Sequence, residues 1–177
     1  FPVKQLIVFS GPPASGKSLI GGMLARRLGI AHFEMDRIRV ALMPDSAHTR
    51  RDRIVAYRAM HAAAVAVLDS GGSVIVNAGY SHTSEREEIW RIASGHDAQL
   101  VLIECAVPVD IAIERCRNRA AAHPGLDLTD ERVRELVNGF PYTHAGLLLD
   151  STLPADRLLN LVEDYLESGA NLPSRYK

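Results

Sequence analysis

The sequence predicts an α/β fold in three layers, a five-stranded parallel sheet with helices on both faces and a small helical lid. Three observations lead there. Short apolar runs rich in β-branched residues alternate along the chain with helix-period segments. Those runs are nearly continuous rather than alternating with polar residues, as in strands covered on both faces. One of them, Leu6-Ile7-Val8-Phe9, leads directly into a glycine-rich loop that opens a helix. With 177 residues, 47% of them hydrophobic, the chain is long enough for one well-buried core, so residues 1–177 are expected to form a single domain with its lid at about 117–130.

Each element has its own signal. Gln5 to Ser10 is the first strand. From Gly16 to Leu28, apolar residues at three- and four-residue spacing give a helix that Gly29 stops. Ile30 to Met35 is a brief second strand, with Asp36 as N-cap of a short helix ending before Pro44. An alanine-rich helix runs from about Thr49 to Leu68 and closes at Ser70-Gly71-Gly72. Ser73 to Asn77 is a third strand, and Ser84 to Ala93 a helix with Ser84 and Glu87 as a capping box. Ala98 to Val107 is the longest strand, followed by a helix from Val109 to about Arg119 with Pro108 at its first position. Ala120 to Leu128 is irregular and carries His123-Pro124-Gly125; Thr129 caps the next helix. Leu147 to Asp150 is a fifth strand, and Leu153 to Ser168 a closing amphipathic helix.

The loop Gly11-Pro12-Pro13-Ala14-Ser15-Gly16-Lys17-Ser18 fits G-x-x-x-x-G-K-[ST], a phosphate cradle. Gly11 and Gly16 free the backbone so that successive N–H groups point inward, and the helix N-terminus adds its partial positive charge. Lys17 adds a full charge against the β/γ-phosphates, and the Ser18 hydroxyl is the candidate ligand for Mg²⁺. The cradle through Leu19 is therefore the expected nucleotide contact. The dinucleotide pattern G-x-G-x-x-G is absent, since Pro13 stands at its second glycine.

In a sheet of this kind ligands collect at the carboxyl ends of the strands. Asp36, the Asn77-Ala78-Gly79-Tyr80 turn and the segment Glu104 to Pro108 should open on the crevice that holds the cradle. A carboxylate beside a phosphoryl donor suits proton removal from an acceptor hydroxyl, which points to Asp36. Arg39 shares its helix face and is placed to hold the acceptor. Arg115 and Arg119, four residues apart, lean one way and can meet charge that spreads over a transferring phosphoryl group. Asn77 ends a strand where a carboxylate for Mg²⁺ is common in such folds, and it contributes no charge. Tyr80, with Tyr57, His61, His82, Phe140, Tyr142 and His144, is a candidate for an acceptor pocket; packing is the plainer role for each.

Other chemistries lack their signatures. Cys105 and Cys116 form no C-x-x-C, the seven histidines make no H-E-x-x-H, and no G-x-S-x-G elbow or N-K-x-D guanine motif is present. A net charge of −1 gives no large basic field, so a dedicated non-specific nucleic-acid binder is not expected. No apolar stretch approaches the roughly 18 residues of a spanning helix, and unpaired cysteines suit a reducing compartment, so a cytoplasmic protein with no membrane partner is expected.

The order GPPASGKS, Asp36-x-x-Arg39, a strand ending before Gly79 and Arg115-x-x-x-Arg119 resembles the small P-loop kinases of the zeta-toxin, chloramphenicol phosphotransferase and bacteriophage polynucleotide 5′-kinase group, within the AAA-type P-loop NTPase superfamily. The resemblance covers about Gln5 to Gly169. It implies that Asp36 is a general base, that Arg39 contacts the acceptor side, and that Arg115 and Arg119 contact the transferring phosphates. It also implies ATP as phosphoryl donor with Mg²⁺, and a kinase acting on an alcohol group. The expected acceptor is a small molecule such as an antibiotic, sugar, nucleoside or nucleotide sugar, with Asp36, Arg39, Asn77 and Tyr80 on its side of the crevice. A polynucleotide 5′-hydroxyl kinase and a nucleotide-dependent switch without an acceptor are the alternatives, and oligomeric state is left open.

Overall fold

A computed structural model of the chain describes residues 3–45, 49–122 and 128–169. Strands β1 (Gln5–Ser10), β2 (Ala31–Glu34), β3 (Val74–Asn77), β4 (Gln99–Ala106) and β5 (Leu147–Asp150) form one parallel sheet in the order β2-β3-β1-β4-β5. The described helices are α1 (Lys17–Leu28), α2 (Met35–Leu42), α3 (Arg50–Asp69), α4 (Thr83–Gly95), α5 (Val109–Ala122), α6 (Asp130–Asn138) and α7 (Ala155–Glu167). The expected five-stranded parallel α/β architecture is the one found.

β1 lies at the centre, with Leu6 opposite Val74 on one side and Leu100 on the other, and every one of its residues is buried. Alternate side chains enter different layers. Leu6, Val8, Val74 and Val76 pack with Tyr57, Met60 and Ala64 of α3 and Ile89 of α4. Ile7, Phe9, Ile75 and Ile103 pack with Ile20 and Leu24 of α1 and Leu158 and Val162 of α7. Burial on both faces explains the unbroken apolar runs, each such side chain being worth about 1.5–3 kcal/mol on removal from water. A smaller cluster, including Val107, Ala112, Ile113, Val133 and Val137, seats α5 and α6 against Ala14 of the cradle.

Several helix starts differ from expectation. β2 runs straight into α2, so Glu34 occupies the N-cap position and Asp36 lies in the first turn rather than capping it. α4 begins at Thr83, earlier than Ser84, because Glu85 is fixed in place: its carboxylate receives the His82 N–H and pairs with Arg50. Pro108 sits one position outside α5, its carbonyl accepting the Ala112 N–H. Thr129 caps α6 as expected, accepting the Arg132 N–H, and Thr49, expected only as the approximate start of α3, is its N-cap and accepts the Asp52 N–H. Expected features at His123-Pro124-Gly125, in the middle of the expected lid, lie outside the described residues, and α5 continues to Ala122, past its expected end near Arg119.

α3 returns against the strand direction. Its end at Leu68 receives a hydrogen bond from Lys4 Nζ below β1, and its beginning at Arg53 reaches Gly79 at the carboxyl ends of the strands. That end of the sheet carries the crevice.

Candidate active site

The cradle leaves β1 through a sharp turn that only a bare α-carbon fits. A Cβ on Gly11 would stand 2.6 Å from the Cys105 carbonyl oxygen of β4 and 2.7 Å from Ser15 Oγ. Ala14 (φ 59°) and Gly16 (φ 84°) both take left-handed conformations, the backbone shape that turns successive N–H groups toward one point. Gly16 then serves as N-cap of α1. Ser15 Oγ is buried without a hydrogen-bond partner among the described residues. An orphaned hydroxyl in an amide-lined concavity at a helix N-terminus fits the charge and donor demand of a polyphosphate.

Lys17 Nζ donates to the Pro12 carbonyl at 2.9 Å, across the mouth of the loop. Burial lowers its pKa most, and the nearby charge of Asp36 opposes that shift. Arg119 and Arg53 act on the same ammonium as further cations. Lys17, Asp36, Arg53 and Arg119 therefore share one electrostatic neighbourhood although 102 positions separate the first from the last (119 less 17).

Ser18 Oγ accepts from Asn77 Nδ2 at 3.0 Å. This joins the end of β3 to the start of α1 at the expected metal position. Among the described residues no group of three or more His, Cys, Asp or Glu is placed to hold a metal. Magnesium fits such a site because it keeps several waters and substrate phosphate oxygens, requiring little from the protein. The Ser18 hydroxyl and the Asn77 side-chain amide bonded to it would lie beside such an ion.

Asp36 lies on α2 with its side chain 74% exposed, open to a ligand, and 3.7 Å from Nε of Arg39. Arg39 is buried, not solvated, with 3% of its side chain exposed. Gly79 follows Asn77 and Ala78, its carbonyl receiving Ser10 Oγ at 3.0 Å. Tyr80 lies beneath the crevice. Its backbone is left-handed (φ 53°), its N–H donates to Tyr57 Oη at 2.8 Å, and its hydroxyl meets His61 Nε2 at 3.1 Å. Burial raises the hydroxyl pKa of both tyrosines and lowers that of His61. These three rings hold the turn at Gly79, and the Tyr80 side chain is buried among them. Its ring also borders a small apolar cavity of about 50 Å³ with Val8, Ile89, Trp90 and Leu102.

Arg115 braces the cradle. Its guanidinium donates to the Ala14 carbonyl (3.1 Å), to Ser151 Oγ (3.1 Å) and to the Ser151 carbonyl (2.7 Å). Arg119 is exposed one turn further along α5, while Arg117 pairs outward with Asp130. Leu19, at the end of the expected nucleotide contact, is 55% exposed. On the far side, the buried carboxylate of Glu104 accepts the N–H groups of Thr143 and His144, both at 2.8 Å, and so fixes the segment bearing Phe140, Tyr142 and His144. Tyr142 Oη donates to the Cys105 carbonyl at 3.4 Å, and burial pushes the Cys105 thiol up to about 12.

Two contributors have no place in the sequence reading, Ser151 and Arg53, and Glu104 enters it only as the start of a crevice segment. Arg53 carried one signal, an arginine four residues before Tyr57 on the buried stripe of α3.

A phosphate cradle on the central strand of a parallel sheet, with a carboxylate and several arginines at the same strand ends, defines a class: the fold is that of the small P-loop kinases. The chain belongs to the AAA domain family, whose match spans residues 6–141. Among solved structures it is similar to a Chloroflexus aurantiacus protein designated a candidate kinase, with 20% identity, 95% of this chain and 98% of the other covered, and a TM-score of 0.78. The Mycobacterium tuberculosis APS kinase CysC in complex with AMPPNP and APS is 21% identical, covering 93% and 98%, with a TM-score of 0.73. A Sinorhizobium meliloti gluconokinase is 17% identical, covering 95% and 94%, with a TM-score of 0.70. At these identities the likeness is one of fold. A search of curated protein sequences returns no match. No described helix is long and apolar enough to cross a membrane.

Proposed function

We propose that the chain is an ATP- and Mg²⁺-dependent phosphotransferase that moves the γ-phosphoryl group to a hydroxyl of a small molecule. The observation that carries this reading is the exposed carboxylate of Asp36 within electrostatic reach of the half-buried Lys17 ammonium. A binding module needs the cradle alone; a transferase also needs a base facing it. Lys17 and the inward N–H groups hold the triphosphate, with Ser18 and Asn77 beside the metal position. Bound Mg²⁺ supplies charge neutralisation at the phosphate oxygens.

Asp36 takes the proton of the acceptor hydroxyl as its oxygen bonds to the γ-phosphorus, and the bond from that phosphorus to the β-γ bridging oxygen breaks to release ADP. Arg39 restrains Asp36 and faces the acceptor. Arg119, exposed beside Lys17, offsets charge on the transferring group, and Arg115 keeps Ala14 of the cradle in place. The near-neutral net charge of −1 supports a small acceptor over a nucleic-acid lattice.

The test is phosphoryl transfer from labelled Mg·ATP to a panel of sugars, sugar acids, nucleosides and antibiotics, read by mass as a gain of one phosphate. Asp36→Asn should lower turnover by about 10²–10⁴-fold while nucleotide affinity stays near wild type. Undiminished transfer by this variant removes Asp36 from the mechanism, and phosphate release with no phosphorylated product from any acceptor favours a nucleotide-dependent switch.

A further inference from the structure

We infer that Arg53 is an anion-recognition residue of the acceptor subsite, and that the acceptor is a hydroxyl compound bearing an oxyanion group. The inference rests on the phosphotransferase reading and specifies its substrate class.

Arg50, Arg53 and Tyr57 lie along one face of α3, the face that meets the crevice. Their polar groups fare differently. Arg50 is neutralised by the buried carboxylate of Glu85 at 2.5 Å. Tyr57 Oη receives the Tyr80 N–H. Arg53, between them, has its Nε buried with no hydrogen-bond partner among the described residues. A guanidinium N–H removed from water and left without an acceptor is costly, which marks Arg53 as a side chain that the protein's own contacts leave unsatisfied.

The surroundings say where that ligand sits. A Cβ placed on Gly79 would lie 3.6 Å from Arg53 Nη2 and 4.0 Å from the Gly11 carbonyl oxygen. The guanidinium thus borders the first residue of the cradle across a glycine whose missing side chain leaves room. α3 packs against α2, which carries Asp36, so Arg53 approaches from the same side as the candidate base. Arg115 and Arg119 approach from α5. The nucleotide charge already has Lys17 and the cradle amides. Arg53 and the buried Arg39 leave positive charge on the acceptor side, and the planar fork of a guanidinium matches a carboxylate or phosphate in two parallel hydrogen bonds.

The direct probe is inorganic phosphate titrated into protein saturated with Mg·AMPPNP, followed by calorimetry, for wild type, Arg53→Gln and Arg53→Met. Methionine keeps an unbranched aliphatic stem, so a folding defect specific to glutamine is recognised by its absence in the other variant. Wild type should bind phosphate beyond the nucleotide site, and both variants should bind it roughly 10- to 100-fold more weakly. Equal phosphate affinity in wild type and variants, or no phosphate binding by nucleotide-loaded wild type, overturns the inference. Matched acceptors then identify the anion: gluconate against glucose for a carboxylate, adenosine 3′-phosphate against adenosine for a phosphate. The charged member of at least one pair should be the better substrate, with Arg53→Gln raising its KM by a larger factor than that of the neutral member. Preference for neutral members throughout sinks the inference and leaves the kinase reading intact. Failure of Mg·AMPPNP to bind sinks the kinase reading, and the difference in phosphate affinity between wild type and Arg53→Gln still reports on Arg53.

Discussion

Replacing Arg115 with glutamine separates two roles that one arginine can play, a contact to transferring phosphate and a brace for the cradle backbone. The guanidinium reaches the Ala14 carbonyl at 3.1 Å and the Ser151 carbonyl at 2.7 Å, and both residues are buried. Glutamine is too short to bridge them. Leaving two buried carbonyls unpaired costs about 1–3 kcal/mol each, reduced where water enters, so we expect a loss of about 2–4 kcal/mol. For a domain of this size each kcal/mol lowers Tm by about 2–4 °C, giving a drop of roughly 4–16 °C in nucleotide-free protein. Differential scanning calorimetry without nucleotide reads this directly. An unchanged Tm alongside impaired turnover refutes the brace and leaves Arg115 only a ligand contact; a fall in Tm with weakened nucleotide affinity supports it.

Two glycines should behave oppositely. A Cβ on Gly146 would stand 2.0 Å from the Leu102 carbonyl oxygen, so Gly146→Ala forces backbone apart and should cost about 2–4 kcal/mol by urea titration, whereas Gly79→Ala meets only contacts of 3.6–4.0 Å and should fold within about 1 kcal/mol of wild type. His61 and His32 are both held below their ordinary value of 6.5, with burial the largest cause. The unfolded chain therefore binds more protons as pH falls, so this stability is complete above pH 6.5 and is lost as pH drops below it toward the folded-state values. The urea midpoint should fall between about pH 7.5 and 5.5, and His61→Gln should flatten part of that slope; an identical slope in the variant removes His61 from the effect.

The strands and the cradle were legible because their causes are local. A strand buried on both faces must be apolar throughout, as β1 and β3 are, and a phosphate loop must place its glycines and lysine at fixed intervals. Helix starts were less legible. α2 begins without a separate cap because β2 delivers the chain directly into it, and α4 begins where Arg50, 35 residues earlier, fixes Glu85. The site divided along the same line. Asp36 and Lys17 declare themselves by position after strands, but the bond from Arg115 to Ser151 spans 36 residues, and Arg53 matters only because folding sets it across from Gly79 and Gly11. Contacts of that range leave no periodicity to read.

The cradle's grip on a triphosphate is tested most directly by calorimetric titration of Mg·AMPPNP into wild type and Lys17→Met. A saturable heat in wild type, with affinity at least about tenfold weaker in the variant, is the expected result. No heat from folded wild type, or equal affinity in both proteins, contradicts it.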